Sequence, residues 1–444
     1  MILTEKHIIK RKPKTEKLFQ KIDGYCYSAK NLRNATNYII TQCGRISYKL
    51  KQGEILDSWE KKLIYDINCG ISAYNKASNK SLKYVDAENG FISDAYFLSY
   101  HLKSTKEYKE IPFATCSQIV IQNICRDWKS YYQGLKAYKK NPSAMLGKPH
   151  KPSYYDKDLG REWLTLTNQN AKVTGNGIIK FPKFLDDLNI QTKQITINQV
   201  RIKTQDDKII VNILYSKDEV QNNVDKMKVI GIDLGIDNLV TLASNTVLQP
   251  LIIDEKPLKS MNQYYNKRKA QLQERAKKCN NKHNTKRMSR LTERRNNKVK
   301  DYMHKVSGMI IGLALSNSVG TIIVGNNSGW KQQVNMGKKT NQAFVGIPYY
   351  QLIQMITYKA NLVGIEVKIV EESFTSGTSY LDEELPIQNN YNKARRITRG
   401  QFKSNTGLII NADVNAAYQI IKKCSTLKQI PIKTGEKVTK LKVA

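Results

Sequence analysis

From Lys228 onward, short apolar runs alternate with amphipathic stretches, and this alternation is what most narrows the possible folds. KVIGIDLG (228–235) reads as a strand ending in a turn, DNLVTLAS (237–244) as a second strand and GTIIVGN (320–326) as a buried strand. IPYYQLIQMITYKANLVG (347–364) has the spacing of an amphipathic helix stopped by Gly, IEVKIVEESF (365–374) reads as a strand, and NADVNAAYQIIKKC (411–424) as a helix. Strands interleaved with helices of this length predict an α/β domain.

The chain before Lys228 has a different texture. Residues 1–20 read as an extended segment and a basic stretch, with Pro13 opposing a helix. Apolar residues recur every three or four positions from about 25 to 140, including a helix from Cys116 to Tyr138. NPSAMLGKPHKPSYY (141–155) marks a boundary, and residues 160–220 hold short alternating runs that predict a small antiparallel barrel or sheet. The polar segment 218–227 reads as a linker. The expected fold class is α+β multidomain. A helical lobe (21–140) and a small β-barrel-like domain (1–20 with 141–227) precede an α/β domain (228–424). A basic helical insert (261–318) interrupts that domain, and a basic tail (425–444) follows it.

Charge narrows the partners. Among 444 residues, 73 Lys and Arg face 38 Asp and Glu, a formal net charge of +35. A folded body this basic repels itself unless a polyanion neutralises it, and nucleic acid is the foremost candidate. Between Lys267 and Lys305 there are 15 Lys and Arg against Glu274, Glu293 and Asp301. The longest apolar stretch, around Met309–Leu315, falls far short of the ~20 residues that span a bilayer, so no membrane partner is expected. The first residues carry charges where a signal peptide needs an apolar core. Seven scattered Cys never form C-x-x-C and five His form no ligand pair, which argues against disulfides and a Cys-rich zinc site. A reduced, intracellular (cytoplasmic) setting follows.

Three acidic positions are candidates for chemistry. Asp233 closes an apolar strand beside Gly235, where a carboxylate is costly unless paired or bound to a cation; a turn Asp capping the next amide is the plain alternative. Asp413 falls in the first turn of the last helix after a candidate N-cap, Asn411, and helix-end electrostatics alone account for it in isolation. Glu371 and Glu372 end the strand IEVKIVEESF, and alternation does not choose between them. Taken together, carboxylates at element ends of one α/β domain suit a hard divalent cation, Mg²⁺ or Mn²⁺. Such ions activate water and stabilise the leaving oxygen of a phosphodiester.

These residues carry a family resemblance. GIDLGIDNLVTLAS resembles the first RuvC motif of TnpB proteins, the RNA-guided endonucleases related to type V CRISPR effectors and Fanzor proteins, and NADVNAAYQI resembles the third. GWKQ near 330 and EESFTSGTSYLD (371–382) extend the likeness, which covers about 228–424. Where the common second motif places Glu at a strand end, this chain has Gly325 in TIIVGNN. A rearranged form of the family takes its Glu three residues before a Thr-Ser pair, and Thr375–Ser376 places it at Glu372. The Cys₄ zinc ribbon of the family has no counterpart in the Cys-free segment 376–407, so no zinc is expected. The resemblance implies an RNase H-like (RuvC) nuclease domain with Asp233, Glu372 and Asp413 as catalytic metal ligands. It also implies a helical recognition lobe, a wedge domain, a guide RNA and cleavage of double-stranded target DNA beside a short motif. The same resemblance implies a prokaryotic-type protein, nucleoid-associated when DNA is bound.

ATCSQIVIQN resembles the helix that reads this motif, with Gln118 and Gln122 four residues apart on one face and able to pair with adenine. Lys148 and Lys151 are expected phosphate contacts, as are Arg294 and Arg295 on the basic helices. Two other readings compete: a nuclease-inactive, RNA-guided DNA-binding repressor, and an unguided RuvC or RNase H-type nuclease, which would leave the first 227 residues without a role. A strand-transferring transposase does not suit the acidic cluster. A monomer is expected, although nothing in the sequence fixes the oligomeric state.

Overall fold

The computed structural model describes residues 1–235, 237–280, 285–327, 342, 345–424 and 438–441. It divides into two units, Met1–Lys217 and Asp218–Ala444.

The first unit opens with strand β1 (Ile2–Lys10) and the 36-residue helix α1 (Glu16–Lys51). Helix α1 buries Ile22, Cys26, Ala29, Arg33, Asn37 and Ile40, a three- and four-residue spacing that makes one face. Helices α2 (Ser58–Ser78), α3 (Ala95–Leu102), α4 (Lys106–Lys109) and α5 (Ala114–Lys140) follow. The Trp128 indole on α5 donates to Asn37 Oδ1 at 2.7 Å, fixing α5 on α1. The Pro-rich segment lies along α1, whose Arg33, Asn34 and Asn37 side chains donate to the carbonyls of Ser153, Tyr155 and Pro152. Arg33 is buried and ion-paired to Glu162 at 3.2 Å.

Strands β2 (Leu164–Thr167), β5 (Gln199–Gln205) and β6 (Lys208–Ser216) join β1 in an antiparallel sheet of order β1-β6-β5-β2. The short strands β3 (Lys172–Val173) and β4 (Ile179–Lys180) pair separately. Among the described residues this sheet is open, with β1 and β2 as edges, where a small barrel was expected. The reason lies in the packing. Leu164, Leu166, Val200, Ile202, Val211 and Ile213 share one apolar core with α1 and α5, so helices cover the face that barrel closure would otherwise hide.

The second unit contains strands β7 (Asp225–Asp233), β8 (Asn238–Ser244) and β9 (Leu251–Asp254), then helices α6 (Lys256–Asn280) and α7 (Lys286–Ser316). Strand β10 (Val319–Gly325), helix α8 (Tyr349–Asn361) and strand β11 (Glu366–Val370) follow. The chain continues through the hairpin β12 (Gln401–Lys403) and β13 (Ile409–Asn411), helix α9 (Ala412–Cys424) and strand β14 (Thr439–Leu441). The six-stranded sheet has the order β11-β10-β7-β8-β9-β14. Strands β7, β8 and β9 form an antiparallel meander, and β10 and β11 add in parallel on the other side of β7. Every residue of β10 is buried, as its unbroken apolar run requires of a strand covered on both faces.

Helices α7 and α8 pack one face through Met303, Val306, Ile310, Leu352 and Ile356. Helix α9 packs the other face through Ala417, Ile420 and Ile421. Gly231 on β7 permits the close approach of α9, since a Cβ there would meet the Ala417 carbonyl oxygen at 2.4 Å. The segment read as a linker belongs here: the Val220 amide donates to the Leu362 carbonyl at 2.9 Å, and β7 already begins at Asp225. Strands β9 and β14 are additions to the sequence reading. GWKQ near 330 lies outside the described residues, as does the tail apart from 438–441.

Candidate active site

Asp233, Glu372 and Asp413 line one cavity of about 970 Å³ in the second unit. Each arrives by a different route. Asp233 is the last residue of β7, paired across to Thr241 on β8. Asp413 sits in the first turn of α9, where Asn411 does the capping: its Oδ1 accepts from the amides of Asp413 at 3.0 Å and Val414 at 3.2 Å. The Asp413 carboxylate is thereby left to face the cavity, where Asn238 donates to Oδ2 at 2.7 Å and Arg396 to Oδ1 at 2.9 Å.

Glu372 lies just beyond β11, and Asn327 holds it from two sides. The Glu372 amide donates to Asn327 Oδ1 at 3.2 Å, and Asn327 Nδ2 donates to Glu372 Oε1 at 3.1 Å. The Thr375 hydroxyl closes the turn on the Glu372 carbonyl at 2.8 Å. Gly325, at the end of β10, supplies the room. A Cβ there would stand 2.6 Å from Ile420 Cδ1, 2.9 Å from Glu372 Oε2 and 3.3 Å from Glu372 Cβ. The missing side chain at 325 is therefore the space that the Glu372 carboxylate and the tip of Ile420 share. Glu371 is exposed, and its carbonyl accepts from Lys423 at 2.8 Å.

The electrostatics reflect crowding of like charges. Burial raises the Asp233 carboxyl well above the usual carboxylate range; the charges of Glu372 and Asp413 push the same way, and Arg396 opposes them. Burial pushes Glu372 up to about 7, with Lys423 pulling it down. Glu372 Oε2 is buried without a hydrogen-bond partner, an orphaned acceptor of the kind a cation satisfies. In kind, then, the donors fit a hard divalent ion. Their present arrangement does not hold one: among the described residues, no group of three or more His, Cys, Asp or Glu is placed to bind a metal. Both Asp413 oxygens and Glu372 Oε1 are engaged by Asn238, Arg396 and Asn327.

Residues that sequence reasoning did not single out complete the cavity. Arg396 and Arg399 come from the irregular segment between β11 and β12, and Arg399 pairs with Asp237. Lys259 bridges Asp237 at 2.8 Å and Glu255 at 2.6 Å on the rim. That irregular segment is anchored to α9 by polar side chains. Asn415 accepts from the Tyr380 amide at 2.9 Å and donates to the Thr378 carbonyl at 2.8 Å. Gln419 donates to the Glu384 carbonyl at 3.1 Å, and Arg395 pairs with Glu384 at 2.6 Å. The rings of Tyr380 and Tyr418 stack 4.7 Å apart.

The expected nucleic-acid contacts stand elsewhere. Gln118 is exposed and Gln122 half-buried on α5, and Lys148 and Lys151 are exposed in the strap along α1, all in the first unit. Arg294 is exposed on α7, whereas the Arg295 guanidinium donates to Asn262 Oδ1 at 2.8 Å and to the Gly346 carbonyl at 2.6 Å. No helix among the described residues is long and apolar enough to cross a membrane.

Comparison with known proteins agrees with the sequence resemblance. Residues 201–331 match the family described as OrfB_IS605, probable transposase, and residues 349–420 match the Cas12f1-like TNB domain. Similar solved structures include a Cas12f1–sgRNA–target DNA complex, at 14% identity and TM-score 0.49 over 94% of this chain and 98% of that one. They also include the mini-RNA-guided endonuclease CRISPR-Cas_phi3, at 9% identity and TM-score 0.46 over 97% and 93%. A third is C2c1 of Alicyclobacillus acidoterrestris with single-guide RNA, at 9% and 0.38 over 92% and 70%. A comparison with curated proteins gives no match. The chain is TnpB-like.

Proposed function

We propose that this TnpB-like chain is an RNA-guided endonuclease that cleaves double-stranded DNA beside a short motif, with an RNase H-like second unit as its catalytic domain. The observation that carries this reading is the shared cavity of Asp233, Glu372 and Asp413, with Glu372 seated in the space that Gly325 leaves. Those three side chains would hold Mg²⁺ or Mn²⁺. Bound there, the ion supplies charge neutralisation and an activated water for phosphodiester hydrolysis.

The chain's own groups have separable tasks. Asn327 fixes the Glu372 carboxylate, and Asn238 orients Asp413. Arg396 and Arg399 present guanidinium groups to the same cavity, where a phosphate would offer the paired acceptors they favour. Arg396 neutralises Asp413, so a phosphate competing for Arg396 would free an oxygen of that carboxylate. The +35 charge is of the size and sign that a bound guide RNA would offset.

The competing reading is an RNA-guided binder that does not cut. A two-step experiment separates the readings. RNA that copurifies with the protein, expressed beside its native flanking DNA, is sequenced; one discrete RNA with a fixed scaffold is expected. That RNA then programs cleavage of matched DNA, which should need Mg²⁺ and vanish in Asp233→Ala while guided binding persists. Cutting that is equal in both proteins would refute the assigned site.

A further inference from the structure

The hairpin of α6 and α7 carries a second concavity that the cleavage chemistry leaves unused. On α6, Tyr264, Arg268 and Leu272 follow one another at four-residue steps and share a face. On α7, Arg287, Leu291 and Arg294 recur at four- and three-residue steps. Both stripes line one cleft of about 530 Å³. Its floor is apolar: Leu272 and Leu291 belong to a small cluster closed by Ala276 and Met288, which ties the two helices together. Arg287 and Arg294 are exposed at its edge. A second depression of about 290 Å³ shares Tyr264 and Arg268 and adds Lys267 and Gln271. Among the described residues, no acidic side chain lines either one. The Tyr264 ring, common to both, is 67% exposed.

This combination discriminates between forms of nucleic acid. A duplex shows its phosphates and hides its base faces, so it gains nothing from an apolar floor and an exposed aromatic side chain. A single strand offers both phosphates and base faces, and aromatic stacking with flanking cations is how such strands are held. We propose that the α6–α7 cleft seats two successive nucleotides of a single-stranded nucleic acid. A base stacks on Tyr264, and Arg268, Arg287 and Arg294 hold the phosphates. The proposal rests on the nucleic-acid reading of the chain and is independent of cleavage.

The test uses the full chain, stripped of copurified nucleic acid in high salt and assayed in EDTA. Labelled RNA and DNA single strands of about twelve nucleotides are compared with a duplex of the same sequence. Tyr264→Ala should weaken single-strand binding about tenfold while duplex binding stays within about twofold, and Tyr264→Trp should keep both. Arg287→Glu with Arg294→Glu should weaken single-strand binding and flatten its salt dependence. Preference for RNA would identify the strand as part of the guide, and preference for DNA as a displaced target strand. Equal losses on single strand and duplex, or no loss in Tyr264→Ala, overturn the proposal and leave the carboxylate site untouched. A wild-type chain that binds no nucleic acid would overturn it together with the guided reading.

Discussion

The carboxylate cavity has two walls built on different principles. Asp233 and Asp413 stand on regular elements, the end of β7 and the first turn of α9, which a continuous apolar core presses together at Gly231. Glu372 and Arg396 stand on an irregular stretch that leaves β11 and returns at β12. That stretch is held by Asn327, Asn415 and Gln419 through side-chain hydrogen bonds. Apolar packing is non-directional and tolerant, so it brings these two carboxylates together without demanding precise geometry. Hydrogen bonds are directional, and each buried one that is broken leaves an unpaired group behind. The second wall is therefore the more sensitive to substitution.

The largest effect expected is on cutting. Glu372→Gln should abolish guided cleavage as fully as Asp233→Ala, while Glu371→Gln should cut normally, since Glu371 faces solvent. A cleavage defect in Glu371→Gln alone would reverse the assignment of the second wall. Gly325→Glu sharpens the same point. By itself it drives a side chain into the Glu372 carboxylate and should eliminate cutting, whereas combined with Glu372→Ala it returns a carboxylate to the same space and should restore part of it. Cleavage assays on the three proteins decide this.

Stability effects come next. Asn415 is fully buried, and Asn415→Ala strands the Tyr380 amide and the Thr378 carbonyl, so denaturant unfolding should show a loss of about 2–4 kcal/mol. A loss below about 0.5 kcal/mol would mean that the segment is not held as described. Acidity gives a comparable effect with a definite sign. Burial raises Glu372 from 4.5 to about 7, so between these values the folded chain keeps a proton that the unfolded chain has released. Stability contributed by protonated Glu372 is thus present below about pH 4.5 and lost as pH rises through 7. In EDTA, wild type relative to Glu372→Gln should lose on the order of 3 kcal/mol across that window. Parallel stability curves for the two proteins would contradict the burial of this carboxyl.

The first wall was legible in the sequence because its signals are local. An apolar run ending in Asp233, and Asn411 two residues before Asp413, both announce element ends. The choice of Glu372 came from the Thr375–Ser376 pair through family resemblance; strand alternation alone left it open against Glu371. What settles the local geometry is the contact of Gly325, at the end of β10, with Glu372, just beyond β11 and 47 residues on in sequence, which no periodicity encodes. Arg396 was missed for a related reason: in a run with Lys393, Arg395 and Arg399 nothing local separates the Arg that reaches Asp413 from its neighbours. Sharing of one core between the sheet of the first unit and α1 likewise depends on contacts across more than a hundred residues.

The most direct test of the central claim, that both walls supply one metal site, is a Mn²⁺ binding titration of the full chain followed by electron paramagnetic resonance, with no guide or target present. Asp233→Asn, Glu372→Gln and Asp413→Asn should each weaken binding by more than about 100-fold, Glu371→Gln should leave it unchanged, and Asn327→Ala should fall between, at about 10-fold to 100-fold. Identical isotherms for wild type and the three carboxylate variants would show that these residues do not act together on a metal.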